Sequence, residues 1–365
     1  MEENTSPPVP ELPAPAEEPA LLSSPPEPVA KPLSFWPRHP YLQAIGLAAL
    51  FLLGYIALEV VLWYTYRRWV EAAAAFFPLE GDRLLLSRVA CLPFMVGYAL
   101  FFSRWIDRRP PAALGFGWPT GSAPDRKPLL RQALWASFGT LAFLALWLGG
   151  AEIEGHFSIL GWSPAVAPGG FEAHDLGALA LLFGAFLIQA GLEELVLRGG
   201  FYGLLRRALS PAAAAILSSG LFALAHAGNP GFTLAGGLNT FLAGVLLCVL
   251  FERTGSLWAP TWVHGVWNFA IGGLLSLPVS GIEIFRLFNA RLTGPEAWTG
   301  GSYGPEGSWL LVPMVGVGIW AVTWGGRKAP KTPGGEPGVH GEGRVTADTF
   351  SAAEIAESAE DRASE

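Results

Sequence analysis

The stretch GALALLFGAFLIQAGLEELVLR, residues 177–198, decides the fold. It is long and apolar enough to cross a hydrocarbon core, which needs about 20 mostly apolar residues. Yet it ends on two carboxylates and a guanidinium, groups that are costly in lipid unless paired or used. A helix of this kind belongs to a membrane bundle with a polar site inside it.

Seven further apolar stretches of related length flank it, at 41–66, 84–103, 129–149, 211–228, 237–252, 257–277 and 308–324, the fifth and sixth spans being short. The expected fold is therefore all-α, a multi-pass transmembrane bundle of about eight helices, with no internal repeat. Composition agrees: 51% hydrophobic and 15% charged residues, against about 25% charged in ordinary soluble domains. Residues 1–37, rich in Pro and Glu, and residues 326–365, rich in Gly, Pro, Ala and acidic side chains, are expected to be disordered tails, since neither can bury enough apolar surface to offset ordering entropy. The membrane domain then spans 38–325. Cys91 and Cys248 lie singly in apolar runs, so no disulfide framework or paired-cysteine metal site is expected. The net charge of −7 includes the acidic tails, and no basic stripe suggests nucleic acid. No cleavable signal peptide is visible, so the first span would act as the targeting signal.

Short-loop charges set the orientation. Arg104, Arg108, Arg109, Arg126 and Lys127 lie between spans two and three; Arg206 and Arg207 between four and five; Arg253 follows the sixth span and Arg327 and Lys328 the eighth. The third-to-fourth connection has no Lys or Arg but holds Glu152, Glu154, Glu172 and Asp175. Both termini are thus expected in the cytoplasm, at the cell (inner) membrane, with Arg67, Arg68 and Arg83 dissenting. Glu59 near the end of span one and Arg88 near the start of span two fall at similar depth in an antiparallel hairpin, where each neutralises the other.

The remaining polar groups form a set. Consecutive helical residues point about 100° apart, so Glu193 and Glu194 cannot both face one pocket squarely. Arg198 stands four residues after Glu194, the spacing that stacks side chains on one face. This assigns Glu194 to an ion pair with Arg198 and leaves Glu193 for chemistry. The fifth span carries Phe222 and His226, and the seventh His264 and Asn268, both again at i, i+4. If the chain turns between Arg207 and Pro211, Glu193 and His226 reach nearly the same depth on antiparallel helices. Each residue alone has an ordinary explanation as helix-to-helix glue. Their convergence on three neighbouring spans favours a functional site.

Taken in order, Glu193-Glu194-x-x-x-Arg198, Phe222-x-x-x-His226 and His264-x-x-x-Asn268 resemble the three motifs of the CAAX-protease and bacteriocin-processing (CPBP, or Abi) family of intramembrane endopeptidases, related to the type II CAAX prenyl endopeptidases. The segment from Arg253 to Pro260 adds to the likeness, which covers about 177–275. The resemblance implies a protein set in the membrane lipid bilayer that hydrolyses a peptide bond in a membrane-associated protein or peptide substrate. Glu193 and His226 would activate water, while His264 and Asn268 would stabilise the oxyanion. Glu193, His226 and His264 are also a donor set for a divalent metal such as zinc, and the sequence leaves open metal-bound water or water held directly by Glu193.

Other protease classes lack their signatures here. There is no His-Glu-x-x-His, no Gly-x-Ser-Gly (Ser219-Gly220 follows Leu217-Ser218), and no Tyr-Asp with Gly-x-Gly-Asp. Two non-protease alternatives remain: a non-catalytic immunity or scaffold protein using the same residues, and a proton-coupled transporter, for which the inverted repeats are missing.

Overall fold

The computed structural model describes residues 39–72, 80–116, 127–153, 155–162, 173–283 and 287–325. Both expected tails lie outside the described residues, apart from their boundaries. The chain is mostly helical. Helices α1 (Pro40–Ala72), α2 (Glu80–Phe101) and α3 (Lys127–Ile153) precede the short strand β1 (Phe157–Trp162). Helix α4 (Ala173–Glu194) continues without a break through a wider π-helical segment, Leu195–Tyr202, into the single turn α5 (Gly203–Leu205). Next come α6 (Pro211–Ala225), α7 (Leu234–Thr254) and α8 (Trp258–Asn268), the last extended by a π segment at Phe269–Leu274. Strand β2 (Phe288–Leu292), the one-turn α9 (Glu296–Thr299) and α10 (Leu311–Gly325) complete the order.

Four helical stretches are long and apolar enough to cross a membrane: Pro40–Tyr66, Leu85–Ile106, Leu176–Leu205 and Leu234–Thr254. The protein is an integral membrane protein. The sixth expected span, 237–252, is longer than its apolar run suggests. Thr233 begins it as an N-cap, accepting from the Gly236 N–H at 3.0 Å, and Gly255 ends it in the left-handed conformation at φ 61°. Both are ordinary helix signals. The fifth is shorter than expected. Helix α6 starts on the Ser210 cap, whose side chain accepts from Ala213 N, with Pro211 in the first turn. It stops at Ala225, just ahead of Gly228-Asn229-Pro230, where the residue before proline is steered away from the helical region. His226 therefore sits on the turn that ends the helix rather than inside a span.

The all-α expectation misses one small sheet. β1 and β2 pair antiparallel, Phe157 opposite Leu292 and Ile159 opposite Ala290, with an irregularity between Ile159 and Trp162. The strands come from two loops far apart in sequence, and neither run shows enough alternation to stand out. Ala290 and Leu292 pack on a core that includes Leu144, Trp147 and Ile271.

Helix α4 is the hub, packing against α2 and α8, while α3 covers the other side of α8 and α6 lies along α7. Close approach at the end of α4 requires glycine. A Cβ on Gly199 would fall 2.5 Å from the Leu114 carbonyl oxygen, and one on Gly200 would fall 2.1 Å from the Phe51 ring. Beyond them, Tyr202 Oη and the Arg206 guanidinium both bond Glu252 of α7, at 2.7 and 2.8 Å. Arg88 of α2 and Glu59 of α1 form an ion pair, each side chain 33% exposed.

Candidate active site

Three elements converge on a cavity of about 1060 Å³ whose wall includes Glu193, Phe222, His226, His264 and Asn268. The end of α4 supplies the carboxylates, the C-terminal turn of α6 supplies Phe222 and His226, and α8 supplies His264 and Asn268. Glu193 and His226, placed level by the turn argument, do line the same space.

The two carboxylates diverge in environment, as consecutive helical positions must. Glu194 is 0% exposed, and its Oε1 accepts from Arg198 Nη1 at 2.9 Å. Arg198, also 0% exposed, further donates to the Gly244 carbonyl at 3.2 Å and lies over the Phe222 ring at 4.8 Å. The ion pair expected from spacing is present. The same Glu194 Oε1 also accepts from His264 Nδ1 at 2.8 Å. Glu194 thus reaches the site through a histidine on another helix, a contact that no spacing within α4 could reveal.

Glu193 faces the cavity, its side chain 26% exposed. Gln189, one turn earlier on α4, donates to Glu193 Oε1. The other oxygen, Oε2, is buried with no hydrogen-bond partner among the described residues. It lies 3.8 Å from His264 Nε2, too far for a direct hydrogen bond. Asn268 is buried and donates from Nδ2 to Gln189 Oε1 at 3.1 Å.

Partners fix the histidine tautomers. A backbone carbonyl and a salt-bridged carboxylate only accept, so a ring nitrogen bonded to either carries the proton. His226 Nδ1–H donates to its own Phe222 carbonyl at 2.8 Å; His264 Nδ1–H donates to Glu194. In the neutral rings each Nε2 is then a bare lone pair. The Phe222 ring packs edge-on against both imidazoles, at 4.6 Å from His226 and 5.8 Å from His264.

The expected residues are thus brought together, and two participants were missed. Gln189 could have been noticed as a polar side chain four residues before Glu193 on the same helix face. Glu306 could not, because it comes from the loop before α10. It accepts from Trp267 Nε1 at 2.8 Å and from Ser280 N at 2.7 Å, tying that loop to α8 at the cavity wall.

Among the described residues, no three His, Cys, Asp or Glu side chains gather in an arrangement that could hold a metal ion. Glu193, His226 and His264 share the cavity without forming a ligand cluster, although the Nδ1–H bonds of both histidines leave each Nε2 free, as in metal-bound histidines. As placed, these residues do not gather into a zinc site.

No curated protein and no solved structure matches the chain. Residues 175–270 match the family model described as type II CAAX prenyl endopeptidase Rce1-like, an interval that contains every residue from Glu193 to Asn268 described above. Over residues 175–270 this integral membrane protein is thus similar to the Rce1-like type II CAAX prenyl endopeptidases, a likeness consistent with the CPBP/CAAX protease family.

Proposed function

We propose that this protein is an intramembrane endopeptidase that hydrolyses a peptide bond of a membrane-associated protein or peptide with a water activated by Glu193. The observation that carries this reading is the buried, unpartnered Glu193 Oε2 facing His264 Nε2 across 3.8 Å. A carboxylate oxygen left without a donor inside a membrane protein is costly, and a water between these two acceptors would satisfy both.

In the forward step Glu193 takes a proton from that water as its oxygen bonds to the substrate carbonyl carbon. The lone pair of His226 Nε2 is the second acceptor on the cavity wall. Negative charge moves to the carbonyl oxygen, where the second N–H of Asn268 serves as a donor. His264 adds a donor only when protonated on both nitrogens, because Nδ1–H is spent on Glu194. The carboxylates on either side of its ring stabilise that cation. Collapse of the tetrahedral intermediate breaks the C–N bond, and the proton held by Glu193 passes to the leaving amine.

We extend the reading to an eight-span bundle with both ends on the cytoplasmic side of the cell membrane, supported by the distribution of short-loop Arg and Lys. The ties between α4 and α8 would serve a non-catalytic scaffold equally well, and the placement of Glu193 Oε2 opposite His264 Nε2 on the cavity wall favours the hydrolytic reading. The test is cleavage of a fluorogenic library of lipidated and unlipidated peptides by the full chain in proteoliposomes. Glu193→Ala, His226→Ala and His264→Ala are each expected to abolish cleavage while the protein still accumulates. Full activity in all three variants would overturn the hydrolytic mechanism.

A further inference from the structure

We infer that Gln189 is a positioning residue that sets Glu193 and Asn268 in register with one another; the inference rests on the hydrolytic reading above. Its amide is spent on both. Nε2 donates to Glu193 Oε1, and Oε1 accepts from Asn268 Nδ2 at 3.1 Å. The amide orientation follows from the partners: a carboxylate can only accept, so the NH2 group faces Glu193 and the oxygen faces Asn268.

Three consequences follow for the site. Glu193 is held at one oxygen by a neutral donor, which orients the carboxylate without neutralising it, and the opposite oxygen is turned toward His264. Asn268 has one N–H fixed, so the plane of its amide is set and its second N–H is the one left for a substrate oxygen. The base on α4 and the donor on α8 are also linked through a single side chain, so the spacing between proton acceptor and oxyanion donor does not depend on helix packing alone. General helix glue would bond whatever polar groups lie near; both partners of Gln189 are groups of the proposed reaction. Reacting groups must be held within a fraction of an ångström for full effect, and a three-residue amide–carboxylate chain does so through two hydrogen bonds.

The full chain in proteoliposomes provides the test, with Gln189→Met, which keeps side-chain length without hydrogen bonding, and Gln189→Ala as a second variant if the first folds poorly. Two readouts are needed. The first is the division between kcat and KM: kcat is expected to fall about 10- to 100-fold, the loss of one hydrogen bond to a charged group, with KM within about twofold. The second is infrared spectroscopy of the carboxylate band that disappears in Glu193→Gln; it should shift in Gln189→Met, because the carboxylate has lost a donor. A folded Gln189 variant with unchanged kcat, or with a raised KM and unchanged kcat, overturns the inference, as does an unmoved carboxylate band. Glu193→Gln separates the two levels. If it is inactive while Gln189→Met is fully active, the positioning role alone fails; if Glu193→Gln is fully active, the underlying mechanism fails with it.

Discussion

The Glu194–Arg198 and Glu59–Arg88 pairs differ in what surrounds them. Glu194 ends α4, Arg198 lies one turn on in the π segment, and both are 0% exposed; Glu59 and Arg88 join α1 to α2, are each 33% exposed and line the cavity that Glu193 faces. Both neutralise charge at a depth where a lone ion is costly. The first has a third member, the imidazole of His264, on the same carboxylate oxygen that holds the arginine, whereas the second has the phenol of Tyr55 beside Glu59. The difference teaches that an ion pair in such a protein is not classified by its partners alone. The Arg88 pair closes a hairpin, whereas the Arg198 pair closes a helix turn and also orients a histidine that faces the proposed nucleophile.

The largest expected effect that would break this comparison is that of Glu194→Ala. It leaves a fully buried guanidinium without a counter-charge and removes the acceptor of His264, and breaking a buried pair in this way costs about 3–5 kcal/mol. Stability in detergent should fall by that order, measured by denaturant unfolding of the purified protein, and cleavage should fall even in molecules that remain folded. Folded Glu194→Ala with wild-type cleavage would reduce the buried pair to the same structural role as the exposed one.

A smaller effect is expected for Arg88→Met. Both side chains of this pair are 33% exposed rather than fully buried, so its loss should cost less than that of the Glu194–Arg198 pair and leave cleavage within a few-fold of the unmodified chain in the same proteoliposome assay. A loss as large as that of Glu194→Ala would place Arg88 in the reaction and dissolve the distinction. Smallest of all should be the double change Glu59→Leu with Arg88→Leu, since replacing both members of a pair by apolar side chains is often nearly neutral. A melting temperature for the double variant below that of Arg88→Met would show that the pair contributes more than mutual neutralisation.

Some of these relations could be read along the chain and some could not. Arg198 is reached from Glu194 by helix periodicity, and the pairing of Glu59 with Arg88 follows from equal depth in a hairpin; the geometry shows both contacts. The gathering of Glu193, His226, His264 and Asn268 was legible because four polar groups in apolar helices have few other places to go. Less visible were the strand pair, made by two loops over a hundred residues apart in chain order, and the full length of α7, whose first turn is defined by the Thr233 cap rather than by hydropathy.

The amino-acid sequence by itself determined that the chain enters a membrane as helices, which residues are too polar to face lipid, and which of them share a helix face, because all three follow from transfer free energy and a 3.6-residue repeat. Only the tertiary structure decided that Glu194 serves His264 as well as Arg198, that Gln189 joins Glu193 to Asn268, and that Glu306 ties its loop to Trp267. Each of those contacts joins groups whose relative rotation is set by how one helix or loop packs on another, and no local period along the chain encodes that angle.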